Sequence, residues 1–240
     1  MSVLEFRQVS YRIGGNLVLN NLNFSIEPGR TLVLLGRSGS GKTTALKMLN
    51  GLLFPTSGEV LVDGRATTAW DLIQLRRSIG YVIQEVGLFP HFTIGENVGL
   101  VPRLNGWPPD RITARVSELL HQVGLDPAQF LNRRPRELSG GQRQRVGVAR
   151  ALAAEPKLLL FDEPFGALDP VTRLELQDQF LELRDRLRKT SIFVTHDVRE
   201  ALRLGTEIAL LHRGKLEVLS TPAEFLNSSG PEARAFLSTL

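Results

Sequence analysis

The sequence contains no cysteine among its 240 residues. Disulfide bonds and cysteine-ligated metal sites are therefore excluded, which is compatible with a reducing compartment. Long apolar runs are missing as well: residues 32–35 and 158–161 form runs of strand length, whereas a membrane-spanning helix needs about 20 apolar residues. The N-terminus contains no apolar signal-peptide core. We therefore expect no targeting or transmembrane segment, so that any membrane role requires a partner protein.

A strong excess of one charge sign is also absent, because 29 basic residues face 25 acidic ones for a net charge of +4. The length suits one domain, or a core with an inserted lobe. Six arginines are concentrated in one segment, at Arg133, Arg134, Arg136, Arg143, Arg145 and Arg150. A nucleic-acid surface is one interpretation, but a solvated surface beside a site for an anionic nucleotide explains the cluster better. We expect no nucleic-acid partner.

Strand-like and helix-like segments alternate along the chain. Short apolar runs bounded by turn residues predict strands at residues 3–11, 22–27, 31–35, 59–63, 79–83, 158–161, 191–194, 208–211 and 216–219. Helices are predicted at residues 42–52, 110–123, 142–154 and 171–188, with another that begins near Asp197. This alternation indicates an α/β fold with a largely parallel sheet. Within a single domain, we interpret residues 87–156 as a helical subdomain inserted into a core of residues 1–86 and 157–240.

A glycine-rich loop follows the apolar segment 31–35 and precedes a predicted helix. Residues 36–43 match the phosphate-loop pattern G-x-x-x-x-G-K-[ST]. Glycines let backbone N–H groups converge on phosphate oxygens, and the helix N-terminus adds its positive dipole end. Lys42 can reach the β- and γ-phosphates, and the Thr43 hydroxyl can ligate Mg²⁺. The predicted nucleotide contacts are Gly36, Arg37, Ser38, Gly39, Ser40, Gly41, Lys42, Thr43 and Thr44.

A second glycine pair, Gly140 and Gly141, lies between Ser139 and Gln142 at the start of another predicted helix. Taken alone, this pattern is typical of an ordinary helix start. In a chain that also has a phosphate loop, it predicts a second anion site, with the Ser139 hydroxyl and the Gln142 amide as ligands. Two such sites in one chain suggest a nucleotide shared by two copies. A head-to-tail dimer with a two-fold axis would place this segment over the partner's γ-phosphate.

Two adjacent carboxylates follow the buried strand predicted at residues 158–161. Functional groups of parallel sheets gather at the carboxyl ends of strands, and adjacent strand residues face opposite sides. The two carboxylates are therefore expected to have different roles. Asp162 suits Mg²⁺ through the water shell of the ion, whereas Glu163 suits orientation or deprotonation of the attacking water. The alternative is a solvated strand end.

Three further side chains come at the ends of predicted strands. His196 follows residues 191–194 and would lie beside the two carboxylates if the strands are neighbours, as a γ-phosphate contact, although a lone histidine is usually structural. Gln84 follows residues 79–83 and could reach Mg²⁺ or the attacking water. Tyr11 ends the first predicted strand and could stack on adenine, as aromatic side chains do on bases.

These residues together resemble the motifs of the ABC ATPase family, in the family's order and over essentially the whole chain. Residues 36–43 look like its Walker A loop, and Gln84 falls at the Q-loop position. Residues 138–142 are similar to the family signature, and residues 158–163 resemble Walker B with its catalytic glutamate.

Three more positions extend the resemblance. Residues 166–169 are similar to the D-loop, whose aspartate, here Asp169, helps to couple two nucleotide sites. His196 matches the switch histidine, and Tyr11 matches the adenine-stacking aromatic. The resemblance implies a P-loop NTPase core of the ABC type with a mainly parallel sheet, an N-terminal antiparallel β subdomain and an inserted helical subdomain. It also implies ATP and Mg²⁺ as cofactors.

The segments 79–91, 96–107 and 162–170 are similar to those of bacterial importer subunits for glycine betaine, choline, carnitine or proline. This similarity implies a homodimer at the cytoplasmic face of the membrane, with transmembrane permease subunits and, indirectly, a substrate-binding protein as partners. A subunit for another small solute, an exporter motor and an ABC ATPase of nucleic-acid metabolism are the alternatives. Many members of the group carry C-terminal regulatory domains, and none is expected here because the sequence ends at Leu240.

Overall fold

The structure is a computed structural model that describes residues 2–84, 86–166 and 168–240. The strands are β1 (Leu4–Ile13), β2 (Asn16–Ile26), β3 (Thr31–Leu35), β4 (Ser57–Val62), β5 (Arg65–Ala66), β6 (Ile79–Val82), β7 (Leu158–Asp162), β8 (Thr190–Thr195), β9 (Glu207–His212) and β10 (Lys215–Ser220). The helices are α1 (Lys42–Leu49), α2 (Leu72–Ser78), α3 (Ile94–Leu104), α4 (Pro109–Gln122), α5 (Pro127–Phe130), α6 (Gly140–Leu152), α7 (Pro170–Leu187), α8 (Val198–Leu204), α9 (Pro222–Phe225) and α10 (Pro231–Leu237). The chain forms two compact units, Met1–Arg76 with Lys189–Leu240, and Arg77–Arg188.

The first unit contains an antiparallel sheet with the strand order β2-β1-β4-β5, as the predicted N-terminal β subdomain requires. The predicted strands 3–11 and 22–27 are too short, because β1 continues to Ile13 and β2 begins at Asn16. Gly14 and Gly15 join them, with φ angles of 51° and 84°. A two-residue glycine turn with positive φ at both positions matches the twist of a hairpin, so the strands pair up to the turn.

The same unit contains the strand that precedes the phosphate loop. β3 pairs in parallel with β8 on one side and with β9 on the other, and β10 is antiparallel to β9. All five residues of β3 are buried, as expected for a strand covered on both faces. Leu35 is in register with Thr195, so that β3 and β8 end at the same edge.

The second unit combines a parallel strand pair with most of the long helices. β6 and β7 are in register from Ile79 and Leu158 to Val82 and Phe161. Helices α3, α4 and α6 pack against each other, and α6 also packs against β6. Their buried core includes Ile94, Val98, Val116, Leu119, Leu120 and Val146. The sequence pattern did not predict α3, which begins after the capping residue Thr93.

Helix ends differ from the sequence predictions where turn or capping residues intervene. The predicted helix 42–52 stops at Leu49, because Gly51 adopts a φ of +64° that leaves the helical region. The predicted helix 142–154 begins earlier, at Gly140, because Ser139 caps it. The C-terminal helices α9 and α10 follow β10, where no helix was predicted. Within the described ranges, no helix combines the length and the apolarity that crossing a membrane requires.

Candidate functional site

The glycine-rich loop lies between β3 and α1, and its backbone leaves no room for side chains at two positions. A Cβ atom on Gly36 would collide with the Leu211 carbonyl oxygen, and one on Gly41 would lie 2.5 Å from Leu19 Cδ2. Gly41 also has a φ of +103°, which favours glycine. The N–H of Gly214 donates to the Ser40 carbonyl at 3.1 Å. The loop therefore follows one tight path, fixed by its glycines and by the β9–β10 turn.

Two polar side chains of this loop have the properties of an anion site. Lys42 is the first residue of α1 and only 5% exposed, and its Nζ donates to the carbonyl oxygens of Gly36 at 2.7 Å and Arg37 at 3.0 Å. The ammonium group is thus held inside the curve of the loop. Within the described part of the chain, the buried Ser40 hydroxyl has no hydrogen-bond partner. Buried polar groups are nearly always paired, so that a hydroxyl left unpaired here is consistent with an anionic ligand.

His196 lies at the same strand edge as this loop, since it directly follows Thr195, the register partner of Leu35. Its side chain is exposed, and the turn beneath it is held by buried polar contacts. The Thr195 hydroxyl donates to Glu200 Oε2 at 2.6 Å and accepts from the Asp197 N–H at 3.0 Å. The first unit therefore presents the loop and the predicted histidine at one edge of the sheet.

In the second unit, Gln84 lies two residues beyond the end of β6. Asp162 is the last residue of β7, the strand that pairs with β6. Tyr81 and Asp162 share one face of this pair, because Tyr81 is in register with Leu160. The Tyr81 hydroxyl donates to Asp162 Oδ2 at 3.4 Å. Burial raises the pKa of Tyr81, and the negative charge of Asp162 raises it further. Tyr81 therefore stays protonated as a donor to this carboxylate, which is a contact that the sequence analysis missed.

Glu163 lies just beyond β7 and has a φ of +45°. Non-glycine residues rarely adopt this left-handed conformation, and such strain concentrates at functional sites. The Gly166 N–H donates to the Glu163 carbonyl at 3.2 Å, which closes a turn after the strand. The backbone thus leaves the strand conformation between Asp162 and Glu163, so that strand alternation alone does not set how these two residues are oriented.

The segment around the second glycine pair forms a helix cap. Ser139 is the N-cap of α6: its hydroxyl accepts from the Gln142 N–H at 3.2 Å, and Gln142 Oε1 accepts from the Ser139 N–H at 2.9 Å. A Cβ on Gly141 would lie 2.6 Å from Thr172 Cγ2 in α7, whereas Ser139 and Gly140 are exposed. The ordinary helix-start interpretation is therefore correct for the local structure. It leaves the Ser139 hydroxyl proton and the exposed N-terminus of α6 available to a ligand.

Asp169 is also a helix cap, at the start of α7. Its carboxylate accepts from the Thr172 N–H at 3.0 Å, and hydrogen bonds from the Thr172 amide and hydroxyl lower the pKa of Asp169. The side chain is exposed and ionised. Two residues of the predicted segments, Glu85 and Ala167, lie outside the described residues.

One pocket of the second unit brings several predicted segments together. This pocket is open to solvent, and its lining includes Gln84, Gly140, Pro164 and Leu168. Gln84 and Gly140 are predicted site residues, and Pro164 and Leu168 are the sequence neighbours of the predicted residues Glu163 and Asp169. Two predicted residues, Gln84 and Gly140, thus line one opening, together with the neighbours of Glu163 and Asp169.

Tyr11 lies in the first unit, two residues before the end of β1, where it pairs with Leu19 and is partly exposed. It does not end the strand as predicted, because the hairpin continues to Gly14 and Gly15. A further contact in this unit joins Arg37 of the phosphate loop to Glu232 of α10. No motif spacing links these two residues, and only the fold brings them together.

Known proteins resemble this chain in sequence and in structure. A family model described as "ABC transporter" matches residues 19–166. The osmoprotectant import ATP-binding protein OsmV of Salmonella typhimurium is 50% identical over 208 residues, covering 87% of this chain and 54% of that protein. The glycine betaine/carnitine/choline transport ATP-binding protein OpuCA of Bacillus subtilis is 48% identical over 232 residues, covering 96% and 60%. The chain thus spans about half to three fifths of the length of these relatives.

A solved structure extends the comparison to the fold. The ATP-binding cassette MJ0796, in a dimeric post-hydrolysis state bound to ADP and Pi, has a TM-score of 0.80 and 35% identity to this chain. The match covers 91% of this chain and 98% of that one.

Proposed function

Because the chain belongs to the ABC transporter family, we propose that it is the ATP-binding and ATP-hydrolysing subunit of an importer, which powers solute uptake through a separate membrane permease. The observation that carries the proposal is the phosphate loop. Gly36 and Gly41 leave little room for a side chain, the Lys42 ammonium is held inside the curve, and the Ser40 hydroxyl has no partner among the described residues. These features fit the phosphates of ATP, and the structural relative MJ0796 binds ADP and Pi.

We assign the following chemistry to the predicted residues. The loop amides and Lys42 bind the phosphates, Tyr11 stacks on adenine, and His196 contacts the γ-phosphate. Thr43, Gln84 and Asp162 would hold Mg²⁺, whose oxygen preference fits a hydroxyl, an amide and a carboxylate. When bound, Mg²⁺ neutralises charge on the phosphates.

Glu163 orients or deprotonates the attacking water, and Gln84 assists in positioning this water. Its left-handed backbone conformation supports a functional position for this carboxylate. Phosphoryl transfer needs positioning and electrostatic stabilisation more than covalent help from the protein. The loop charges, His196 and Glu163 supply both.

The proposal includes a head-to-tail homodimer in which Ser139, Gly140, Gly141 and Gln142 of one subunit contact the nucleotide of the other, and Asp169 couples the two sites. The exposed N-terminus of α6 and the exposed, ionised Asp169 support this arrangement. MJ0796 is dimeric. The helical segment 87–156 would transmit closure of the dimer to permease subunits from the cytoplasmic face of the membrane. A substrate-binding protein would deliver the solute to the permease on the opposite side.

The solute of this proposal is a quaternary-amine or betaine osmoprotectant, because the relatives OsmV and OpuCA carry osmoprotectant, glycine betaine, carnitine and choline in their names. An importer subunit for another small solute is the second candidate. The permease and the binding protein select the solute, so that this subunit is expected to supply the energy and not the specificity.

Uptake measurements test the proposal. Cells that lack this protein should lose uptake of labelled glycine betaine or choline, and a wild-type copy should restore it. A Lys42→Ala copy should not restore it, whereas Lys47→Ala, which removes an exposed lysine from the same helix, should. Unchanged uptake of both compounds together with reduced uptake of another solute would contradict the osmoprotectant assignment alone. Equal activity of the purified Lys42→Ala and wild-type proteins in MgATP hydrolysis would contradict the ATPase proposal.

A further inference from the structure

We infer that Glu232, in the C-terminal helix α10, is a positioning residue for the phosphate loop and sets its affinity for nucleotide. This inference rests on the proposed ATP binding by that loop. Glu232 Oε1 accepts from Arg37 Nε at 2.6 Å, and Glu232 Oε2 lies 3.3 Å from His212 Nδ1. Arg37 is the second residue of the loop, and His212 ends β9. One carboxylate therefore contacts both the loop and the strand on which the loop rests.

The burial of these groups shows that Glu232 is the fixed partner. The Glu232 side chain is 9% exposed, whereas that of Arg37 is 66% exposed. A nearly buried carboxylate requires partners, because an unpaired one would carry a large desolvation cost. Each Glu232 oxygen has a contact on a different element, so that the carboxylate cannot turn without losing one of them. Arg37 is thus drawn to a point that α10 defines.

Helix α10 is itself held in place. Glu217 Oε1, in β10, accepts from the N–H groups of Glu232 at 3.2 Å and Ala233 at 3.4 Å. Ala233 and Phe236 are buried on the inner side of the helix. The helix therefore presents Glu232 from a packed position, and not from a loose C-terminal segment.

The contact continues from Arg37 to the lysine that binds phosphate. Lys42 Nζ donates to the carbonyl oxygens of Gly36 and Arg37, so that the backbone of these two residues sets where the ammonium group lies. Gly36 in turn packs against the carbonyl of Leu211, the neighbour of His212. Glu232 holds the Arg37 side chain directly and contacts His212, which is next to Leu211. It thereby fixes the positions of Gly36 and Arg37, whose carbonyl oxygens orient Lys42.

Loss of the Glu232 carboxylate should therefore weaken nucleotide binding but have little effect on turnover. Without the carboxylate charge, Arg37 would sample solvent and the carbonyl acceptors of Lys42 would lose their fixed positions. The loop would then have to be ordered by the nucleotide itself, which weakens binding. Once ATP is bound the loop is ordered, so that hydrolysis at saturating ATP should change little.

The test measures equilibrium binding of a fluorescent ATP analogue, competition by unlabelled MgATP, and hydrolysis at saturating ATP. Glu232→Gln should weaken nucleotide binding about fivefold to tenfold, which corresponds to about 1–1.4 kcal/mol, with kcat within about twofold of the wild type. Arg37→Gln, which changes a largely exposed side chain, should weaken binding to a similar extent. In the Arg37→Gln background, Glu232→Gln should weaken binding less than it does in the wild type, because only the contact with His212 remains to be changed.

Glu217→Gln is the matched control, since it weakens the anchoring of α10 without removing the Arg37 partner; its nucleotide affinity should stay close to that of the wild type. Equal weakening by Glu217→Gln and Glu232→Gln would show that only helix docking matters and would overturn the inference. So would tighter binding by Glu232→Gln, which would mean that Glu232 competes with phosphate for Arg37. Failure of the wild-type chain to bind nucleotide would instead refute the proposed function.

Discussion

Glu163 illustrates how one residue combines backbone strain with the chemistry proposed for it. A left-handed φ of +45° is costly for a side chain with a Cβ atom, and a turn closed by the Gly166 N–H maintains it. A glutamine at this position has the same shape and can adopt the same backbone. The substitution therefore removes the carboxylate charge without changing the turn.

We predict that Glu163→Gln binds MgATP normally and hydrolyses it at least ~100-fold more slowly, because general-base catalysis contributes about 10²–10⁴-fold. The variant should accumulate as an ATP-bound dimer, measurable by size-exclusion chromatography with ATP present. The control is Glu175→Gln, an exposed α7 carboxylate that lies 4.0 Å from Arg145. Turnover near the wild-type rate in Glu163→Gln would remove Glu163 from the reaction.

A second prediction at the residue scale concerns Tyr81. The chain has two tyrosines, so that Tyr11→Phe leaves Tyr81 as the only one. Tyrosinate absorbance of this variant near 295 nm should stay absent through the ordinary tyrosine pKa of about 10, because burial and Asp162 raise the pKa of Tyr81. The raised pKa means that the folded state retains the proton. The associated stability is present below pH ~10 and is lost as the pH rises above it.

The Asp162→Asn change should bring the Tyr81 titration down, but only in part, because burial remains. Circular dichroism at each pH separates titration of the folded protein from alkaline unfolding. Ionisation of Tyr81 at pH 10 in a folded Tyr11→Phe variant would disagree with the contact between Tyr81 and Asp162.

At the scale of single elements, capping residues determine where several helices begin. Thr93 and Ser139 form the same type of capping box, at the starts of α3 and α6. In each box, a hydroxyl accepts a backbone N–H in the first turn, and a glutamate or glutamine returns the hydrogen bond. Substitutions at Thr93 and at Ser139 can therefore be compared to distinguish the structural role of a cap from a role in nucleotide binding.

Thr93→Ala and Ser139→Ala should each lower the free energy of unfolding by about 1 kcal/mol, the usual cost of losing such a cap. Thr93→Ala should retain ATP hydrolysis, whereas Ser139→Ala should lose most of it, because only Ser139 is assigned to the partner's nucleotide. Chemical denaturation and MgATP turnover measure the two effects. Equal loss of hydrolysis in both variants would assign Ser139 a structural role alone.

At the scale of the whole molecule, the proposed function requires two copies. Lys42 and Ser139 would serve one nucleotide from different subunits. A Ser139→Arg chain should therefore bind ATP as a monomer, since its own phosphate loop is unchanged, but should not hydrolyse it.

Mixing Ser139→Arg with Lys42→Ala chains tests this assembly. A mixed dimer keeps one composite site in which both residues are intact, so that closure around one ATP should recover even without turnover. Crosslinking or light scattering with ATP present detects the closed dimer, and each variant alone serves as the control. Loss of ATP binding by the isolated Ser139→Arg chain would place Ser139 in its own subunit's site and contradict the head-to-tail arrangement.

The local sequence determined where several strands and helices begin and end, because these bounds depend on the chemistry of neighbouring residues. The continuous apolar run 31–35 predicted β3 to the residue, since a strand covered on both faces needs no alternation. The helix start at Lys42 followed from the phosphate-loop pattern. The pattern failed where turn chemistry was overlooked: Gly14 and Gly15 extend the first hairpin, and the capping box of Thr93 starts α3.

Tertiary structure alone decided which distant residues meet. Arg37 and Glu232 are 195 positions apart, and Tyr81 and Asp162 are 81 apart. A motif reflects the backbone geometry and the chemistry of a few neighbouring residues. The contact between Tyr81 and Asp162 depends instead on strand register, and that between Arg37 and Glu232 depends on the packing of α10. The sequence by itself thus determined the phosphate loop and the two carboxylates at the end of β7. The fold decided which side chains hold them in position, because that choice depends on contacts that no local spacing encodes.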